Sequence, residues 1–155
     1  MTELRPMTSA EFARWRDQAV ADYADDKRRA LDIPAEAALT LSERSFADLL
    51  PEGLATPNHR ILAAEAGGVV VGMVWIALRG DHGRVECFIY DIVVEEAHRR
   101  KGHGRAILAA VDRLARDMGA DKVGLHVFGD NPGAIALYEA AGYRVTDLSM
   151  SKPLP

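Results

Sequence analysis

The stretch from Arg84 to Met118 constrains this chain most. Val85, Cys87, Phe88, Ile89, Ile92, Val93 and Val94 form a run that is apolar on both sides in its second half, the pattern of a central strand covered on both faces. A few residues on come two glycines, Gly102 and Gly104. Ile107, Leu108, Val111, Leu114, Ala115 and Met118 then recur as a helical stripe, and Gly119 supplies its stop. A buried strand, a glycine turn and an amphipathic helix, in that order, call for a sheet with helices packed against it.

The rest of the chain supplies the other layers. Thr8-Ser9-Ala10-Glu11 has capping-box spacing, and Phe12, Trp15, Ala19 and Tyr23 mark an amphipathic first helix ending near Arg28. Pro34 opens a second helix with Ala38, Leu41, Phe46, Leu49 and Leu50 inward, stopped by Pro51-Glu52-Gly53, and residues 54–59 read as a loop. Ile61–Ala66 and Val69–Leu78 read as strands joined at Gly67-Gly68, with a further turn at Gly80–Gly83. Val123–Phe128 is expected to be a fifth strand. Asn131-Pro132-Gly133 starts a short helix that reaches Ala141, and a last strand begins at Tyr143. With a short strand at the N-terminus, the fold class is α+β: one domain over residues 1–155, built on a mixed, mostly antiparallel sheet with helices on both faces.

Composition removes several function classes. A formal charge of −4 argues against nucleic acid as a partner, because such modules carry a basic face that collects phosphates. No apolar run approaches the roughly 18 residues that span a bilayer, and no leader pattern opens the sequence, so a cytoplasmic protein without a membrane partner is expected. The single cysteine, Cys87, sits in an apolar run and reads as a core thiol in a reducing compartment. His59, His82, His98, His103 and His126 show neither an i, i+4 pair nor a Cys partner, so no metal is expected.

The glycine turn carries the chemistry. Gly102 and Gly104 permit a tight turn whose backbone N–H groups point at an anion. Arg99, Arg100, Lys101 and Arg105 add positive charge suited to a polyphosphate. The turn lacks the Lys-Ser/Thr ending of a P-loop and the acidic residue of a dinucleotide site.

Here the sequence resembles the GNAT superfamily of N-acetyltransferases, whose signature Arg/Gln-x-x-Gly-x-Gly/Ala is matched by Arg99, Gly102 and Gly104. The segment Asn131-Pro132-Gly133-Ala134-Ile135-Ala136-Leu137-Tyr138-Glu139-Ala140-Ala141-Gly142-Tyr143 extends the likeness, as do Ile92-Val93-Val94 and the two N-terminal helices. The resemblance implies acetyl-CoA as cosubstrate and an amine-bearing small molecule or peptide as acceptor. Ile92 and Val94 would lend backbone groups to the pantetheine arm, and an N–H near Val93 or Val94 would polarise the thioester oxygen. Arg100, Lys101, Gly102, His103, Gly104 and Arg105 would hold the pyrophosphate, and Asn131 would contact the cofactor while also capping a helix. Tyr138 matches the family's general acid. His126 stands where some related enzymes carry a glutamate base, with Asp91 and Glu86 as alternatives. A homodimer is a further implication.

Three residue groups stay secondary. His59 lies near the expected acceptor pocket but reads as a loop histidine, and Asp22, Asp25 and Asp26 read as a solvated face able to attract an amine. Cys87 has no evident base beside it, so a covalent acetyl-enzyme is not expected. The rival readings are an acyl-CoA-binding or sensing module without catalysis, and a protein-interaction domain.

Overall fold

Two short turns build the middle of the sheet in the computed structural model, which describes residues 2–155. β2 (His59–Ala66) turns at Gly67-Gly68 into β3 (Val69–Asp81), which turns at His82-Gly83 into β4 (Arg84–Val94). Two-residue turns match the natural twist of paired strands, so each neighbour in sequence becomes a neighbour in the sheet. β1 (Thr2–Pro6) pairs antiparallel on the outer side of β2. β5 (Lys122–Leu125) pairs parallel to β4, which gives the order β1-β2-β3-β4-β5. A parallel neighbour needs a crossover, and α3 (His103–Asp117) provides it.

The sheet separates two cores of different chemistry. On one face α3 buries Ile107, Leu108, Val111 and Ala115 against Leu62, Val74, Ile76, Cys87 and Ile89. The other face carries Trp15, Ala19 and Val20 from α1 (Ser9–Leu31) and Phe46 from α2 (Ala35–Leu49), packed on Ile61, Met73 and Trp75. Thr8 caps α1 with the reciprocal Glu11 bonds that the sequence predicts, at 3.2 and 2.9 Å. Ser42 is fully buried between the two helices and donates to the Val20 carbonyl at 2.7 Å. α4 (Pro132–Ala140) completes the set, and its Leu137 and Tyr138 lean on the α3-side core. No helix among the described residues is long and apolar enough to cross a membrane.

Several boundaries differ from expectation. α1 runs to Leu31 because the Asp32 N–H closes the last turn on the Arg28 carbonyl. A 3-10 turn at Gly53–Ala55 leads into the 54–59 segment, and His59 is the first residue of β2 instead of a loop residue. The Gly80–Gly83 turn tightens to two residues because β3 continues to Asp81. β5 ends at Leu125 and leaves His126–Phe128 outside it. The strand expected from Tyr143 is absent: residues 144–155 have no regular structure, since none of their backbone groups pairs with the sheet.

Candidate functional site

A vacant strand edge defines the site. β5 accompanies β4 only from Glu86 opposite Lys122 to Ile89 opposite Leu125, whereas β4 continues to Val94. The edge of Tyr90–Val94 that faces β5 therefore has no neighbouring strand. A bulge marks the same place, for Asp91 lies opposite Trp75 and Ile89 opposite Ile76, so Tyr90 is an extra residue. A bulge turns two consecutive side chains to one face. Tyr90 and Asp91 accordingly both meet the α1–α2 face, and Ile92 and Val94 return to the α3 side beside Cys87 and Ile89.

The chain then leaves β4 through a fixed turn. Arg99 Nε donates to the Val94 carbonyl at 3.0 Å, which ties the turn to the strand end. Gly102 is the N-cap of α3 at φ 81°, a left-handed conformation that glycine adopts without steric cost. Gly104 serves a second need, because a Cβ there would lie 3.2 Å from Leu137 Cδ2 and crowd that side chain of α4. No side chain caps α3, and its first backbone bond runs from Ala106 N to Gly102 O at 3.1 Å. The N–H groups of His103, Gly104 and Arg105 thus find no acceptor among the described residues, and Arg100, Lys101 and Arg105 are exposed around them. Free amides, the positive end of a 15-residue helix and three cations suit a diphosphate. The residues expected to hold pyrophosphate are brought together here, with Arg99 serving the turn through one nitrogen.

On the far side of the gap stands α4. Asn131 caps it, with Oδ1 accepting from Ala134 N at 3.2 Å, which leaves its amide N–H groups free to donate. Tyr138 is partly exposed and meets Tyr143 edge to face at 5.8 Å. Burial pushes its phenol above the ordinary value, and the negative charge of Asp91 pushes it in the same direction.

Sequence reading missed the aromatic side of this gap. Trp15 Nε1 donates to Asp91 Oδ2 at 3.0 Å. Trp75 Nε1 donates to His59 Nδ1 at 3.0 Å, and Tyr90 stacks on Trp75 with centroids 4.6 Å apart. His59 also stacks on Tyr90 at 5.7 Å. Burial lowers the His59 pKa, in keeping with a neutral ring whose Nδ1 accepts. The available signal was the pairing of two tryptophans with two acceptors, since a buried indole N–H requires a partner. Asp91 has its pKa raised by burial; the Trp15 indole and the Ile92 N–H oppose this, and Asp22 and Asp26 reinforce it.

The other base candidates differ in setting. His126 is exposed beyond the end of β5, edge-on to Phe128 at 5.2 Å. Glu86 is engaged by Arg79 at 2.9 Å and by Lys122 at 3.8 Å, so its charge is already used. Asp25 and Asp26 pair with Arg28 and Arg29, and Arg29 also approaches Asp130 at 3.9 Å. Cys87 is fully buried and its thiol is pushed up to about 11 by burial, which makes it a poor nucleophile.

Comparison with known proteins agrees with this geometry. Residues 15–143 match the acetyltransferase (GNAT) family. The chain is 41% identical over 152 residues to the uncharacterized N-acetyltransferase YycN of Bacillus subtilis, covering 97% of each protein. It superposes on the YycN crystal structure with a TM-score of 0.94, over 100% of this chain and 99% of that one. YdgE of the same organism, also an uncharacterized N-acetyltransferase, is 32% identical with 97% of each protein covered. The fold alone is shared with the aminoglycoside N-acetyltransferase AAC(6')-Iy in complex with CoA, at 19% identity, a TM-score of 0.64, and 99% and 95% coverage. A vacant β4 edge that leads into an uncapped, cation-flanked helix start, within a sequence matching from Trp15 to Tyr143, places this chain in the GNAT acetyltransferase family.

Proposed function

We propose that this acetyl-CoA-dependent acetyltransferase moves acetyl directly to a primary amine, with Asp91 taking the proton from the acceptor and Tyr138 giving one to the departing sulfur. The observation that carries this reading is the vacant edge of β4, where Asp91 is held by the Trp15 indole at 3.0 Å and Tyr138 of α4 packs in the same cluster as Ile92 and Val94. The edge of Ile92–Val94 suits the amide-bearing arm of CoA as an added strand, with an N–H near Val93 or Val94 facing the thioester oxygen. The α3 start with Arg100, Lys101, His103 and Arg105 suits the diphosphate, and the free amide of Asn131 suits a polar group of the same molecule.

Proton movements follow from the two environments. An acceptor ammonium must lose a proton before its nitrogen attacks, and a carboxylate with a raised pKa is a better base than an exposed one. The amine nitrogen then forms its bond to the acetyl carbon, the carbon–sulfur bond breaks, and the sulfur takes the Tyr138 proton; the acylated nitrogen sheds its second proton to solvent, and the phenol takes one back. Because the phenol is held above its ordinary value, it stays protonated at neutral pH. His126, exposed beyond the end of β5, is the alternative base. Of the aromatic cluster beside Asp91, Tyr90 is only partly buried, and its ring would favour an acceptor that presents its ammonium beside apolar surface. The buried, unreactive Cys87 speaks for direct transfer, and a lone free thiol fits a reducing, cytoplasmic setting.

The test is release of CoA thiol across a panel of polyamines, aminoglycosides, amino acids and peptides. Tyr138→Phe is expected to lower kcat about 100-fold with acetyl-CoA binding unchanged by calorimetry. Loss of transfer in Cys87→Ala with an unaffected Tyr138→Phe rate would overturn direct transfer. Tight acetyl-CoA binding without acetylation of any amine in the panel would favour a sensing module.

A further inference from the structure

We propose that Trp15 is a positioning residue for acetyl transfer: its indole N–H holds one oxygen of Asp91, so that the other is left to take the acceptor's proton. This rests on the reading of Asp91 as the base. Trp15 Nε1 donates to Asp91 Oδ2 at 3.0 Å, and no other side chain donates to that carboxylate among the described residues. The bulge at Tyr90 is what turns Asp91 toward α1.

A hydrogen bond aims its acceptor only if the donor is itself held, and the Trp15 ring has no room to swing. It is 9% exposed. It meets Trp75 edge-on at 5.4 Å and lies beside Phe12 and Phe46, with centroids 5.8 and 6.1 Å away. Trp75 stands opposite Asp91 across the β3–β4 ladder, so one pair of strands places both the carboxylate and the ring that braces its donor. A freely turning carboxylate offers its oxygens in many directions, whereas one tied at Oδ2 offers a single geometry to the ammonium.

The same bond opposes everything that favours the protonated carboxyl. Burial and the charges of Asp22 and Asp26 hold Asp91 above its ordinary value, and the Trp15 and Ile92 N–H groups pull the other way. Asp22 and Asp26 follow Trp15 by seven and eleven positions, close to two and three helical turns. One face of α1 therefore carries both the donor and the two opposing charges, with Arg29 paired to Asp26. From the other elements, β3 brings the Trp75 ring, β4 the Tyr90 ring, and α4 the Tyr138 phenol, which is uncharged at neutral pH. Without Trp15 only the Ile92 N–H is left to favour the carboxylate, and a protonated carboxyl takes no proton.

The chain has two tryptophans, so its nitrogen–proton spectrum holds two indole signals, assigned by the loss of one in Trp75→Phe. On acid titration the Trp15 signal is expected to move with the midpoint of the Asp91 carboxyl carbon, and the Trp75 signal to follow the His59 ring. In Trp15→Phe the Asp91 midpoint is expected to rise by about one pH unit, and the acid limb of kcat/KM with it. The double variant Asp22→Asn, Asp26→Asn is expected to move both downward. Above the limb, Trp15→Phe is expected to lower kcat about 10-fold with the KM for acetyl-CoA unchanged. A Trp15 signal that ignores Asp91 overturns the proposal, and this titration of the parent chain stands even where Trp15→Phe does not fold. A slow Asp91→Asn enzyme beside an unmoved limb in Trp15→Phe overturns the proposal alone. An Asp91→Asn enzyme at the parent rate overturns the base reading and the proposal together.

Discussion

The two faces of the sheet are built on different principles. The α3 face is aliphatic, with Ile, Leu, Val and Ala filling space around Cys87, and it delivers backbone: the ends of β4 and α3. The α1–α2 face is aromatic, with Trp15, Phe46 and Trp75 in contact and two indole N–H groups aimed at His59 and Asp91. On the function proposed above, backbone groups would recognise what is common to every CoA thioester, and side chains what is particular to an acceptor. The difference teaches where variation would then be tolerated: the proposed donor half depends on main-chain position, the proposed acceptor half on side-chain identity.

Asp91→Asn should break this division most sharply. Asparagine keeps an oxygen for the Trp15 indole but takes no proton, so kcat/KM is expected to fall about 1,000-fold, or about 4 kcal/mol, with acetyl-CoA affinity unchanged. A His126→Gln variant measured beside it should stay near the parent rate, and the reverse pattern would move the base to His126. Leu108→Ala, on the aliphatic face, is expected to lower stability by about 3 kcal/mol through its cavity while leaving acceptor preference alone, as chemical denaturation and the amine panel would show.

Trp75→Phe keeps an aromatic ring but removes the donor to His59, so about 1 to 2 kcal/mol of stability is expected to go, together with a changed acceptor KM. The His59 environment predicts a pH signature. Its folded pKa is depressed, so its contribution is complete above the unfolded value of about 6.5 and is lost as pH falls through the lower folded value. Thermal melts of the parent and of His59→Gln should converge on the acid side of that window. The smallest effect is expected at the start of α1, where Arg5 and the Thr8 N–H lower the Glu11 pKa to about 2. Its contribution is complete above the unfolded value of about 4.5 and is lost as pH falls through about 2. Glu11→Gln should therefore cost under about 1 kcal/mol at neutral pH and nothing at the acid limit.

Much of the donor half was legible in the sequence because its signals are local. The Gly102–Gly104 spacing, the stripe from Ile107 to Met118 and Asn131-Pro132 each specify structure within a few residues. The acceptor half was less legible, because Trp15 and Asp91 are 76 positions apart and meet only through the fold. His59 was read as a loop residue since its indole partner lies across the β2–β3 hairpin. The tail from Tyr143 carries strand-like residues, but a strand also requires a partner, and a single chain's sequence does not name one.

The extra residue at Tyr90 has a consequence for anyone altering β4. Alternation along a strand is a two-step count, and at Tyr90 the count slips by one: Cys87 and Ile89 are in phase with each other, as are Ile92 and Val94, but the two pairs are out of phase. Removing a single residue between them would put one of the two pairs on the wrong face, so that Ile92 and Val94 would leave the α3-side core or Cys87 and Ile89 would. Length, here, is as chemically specific as composition.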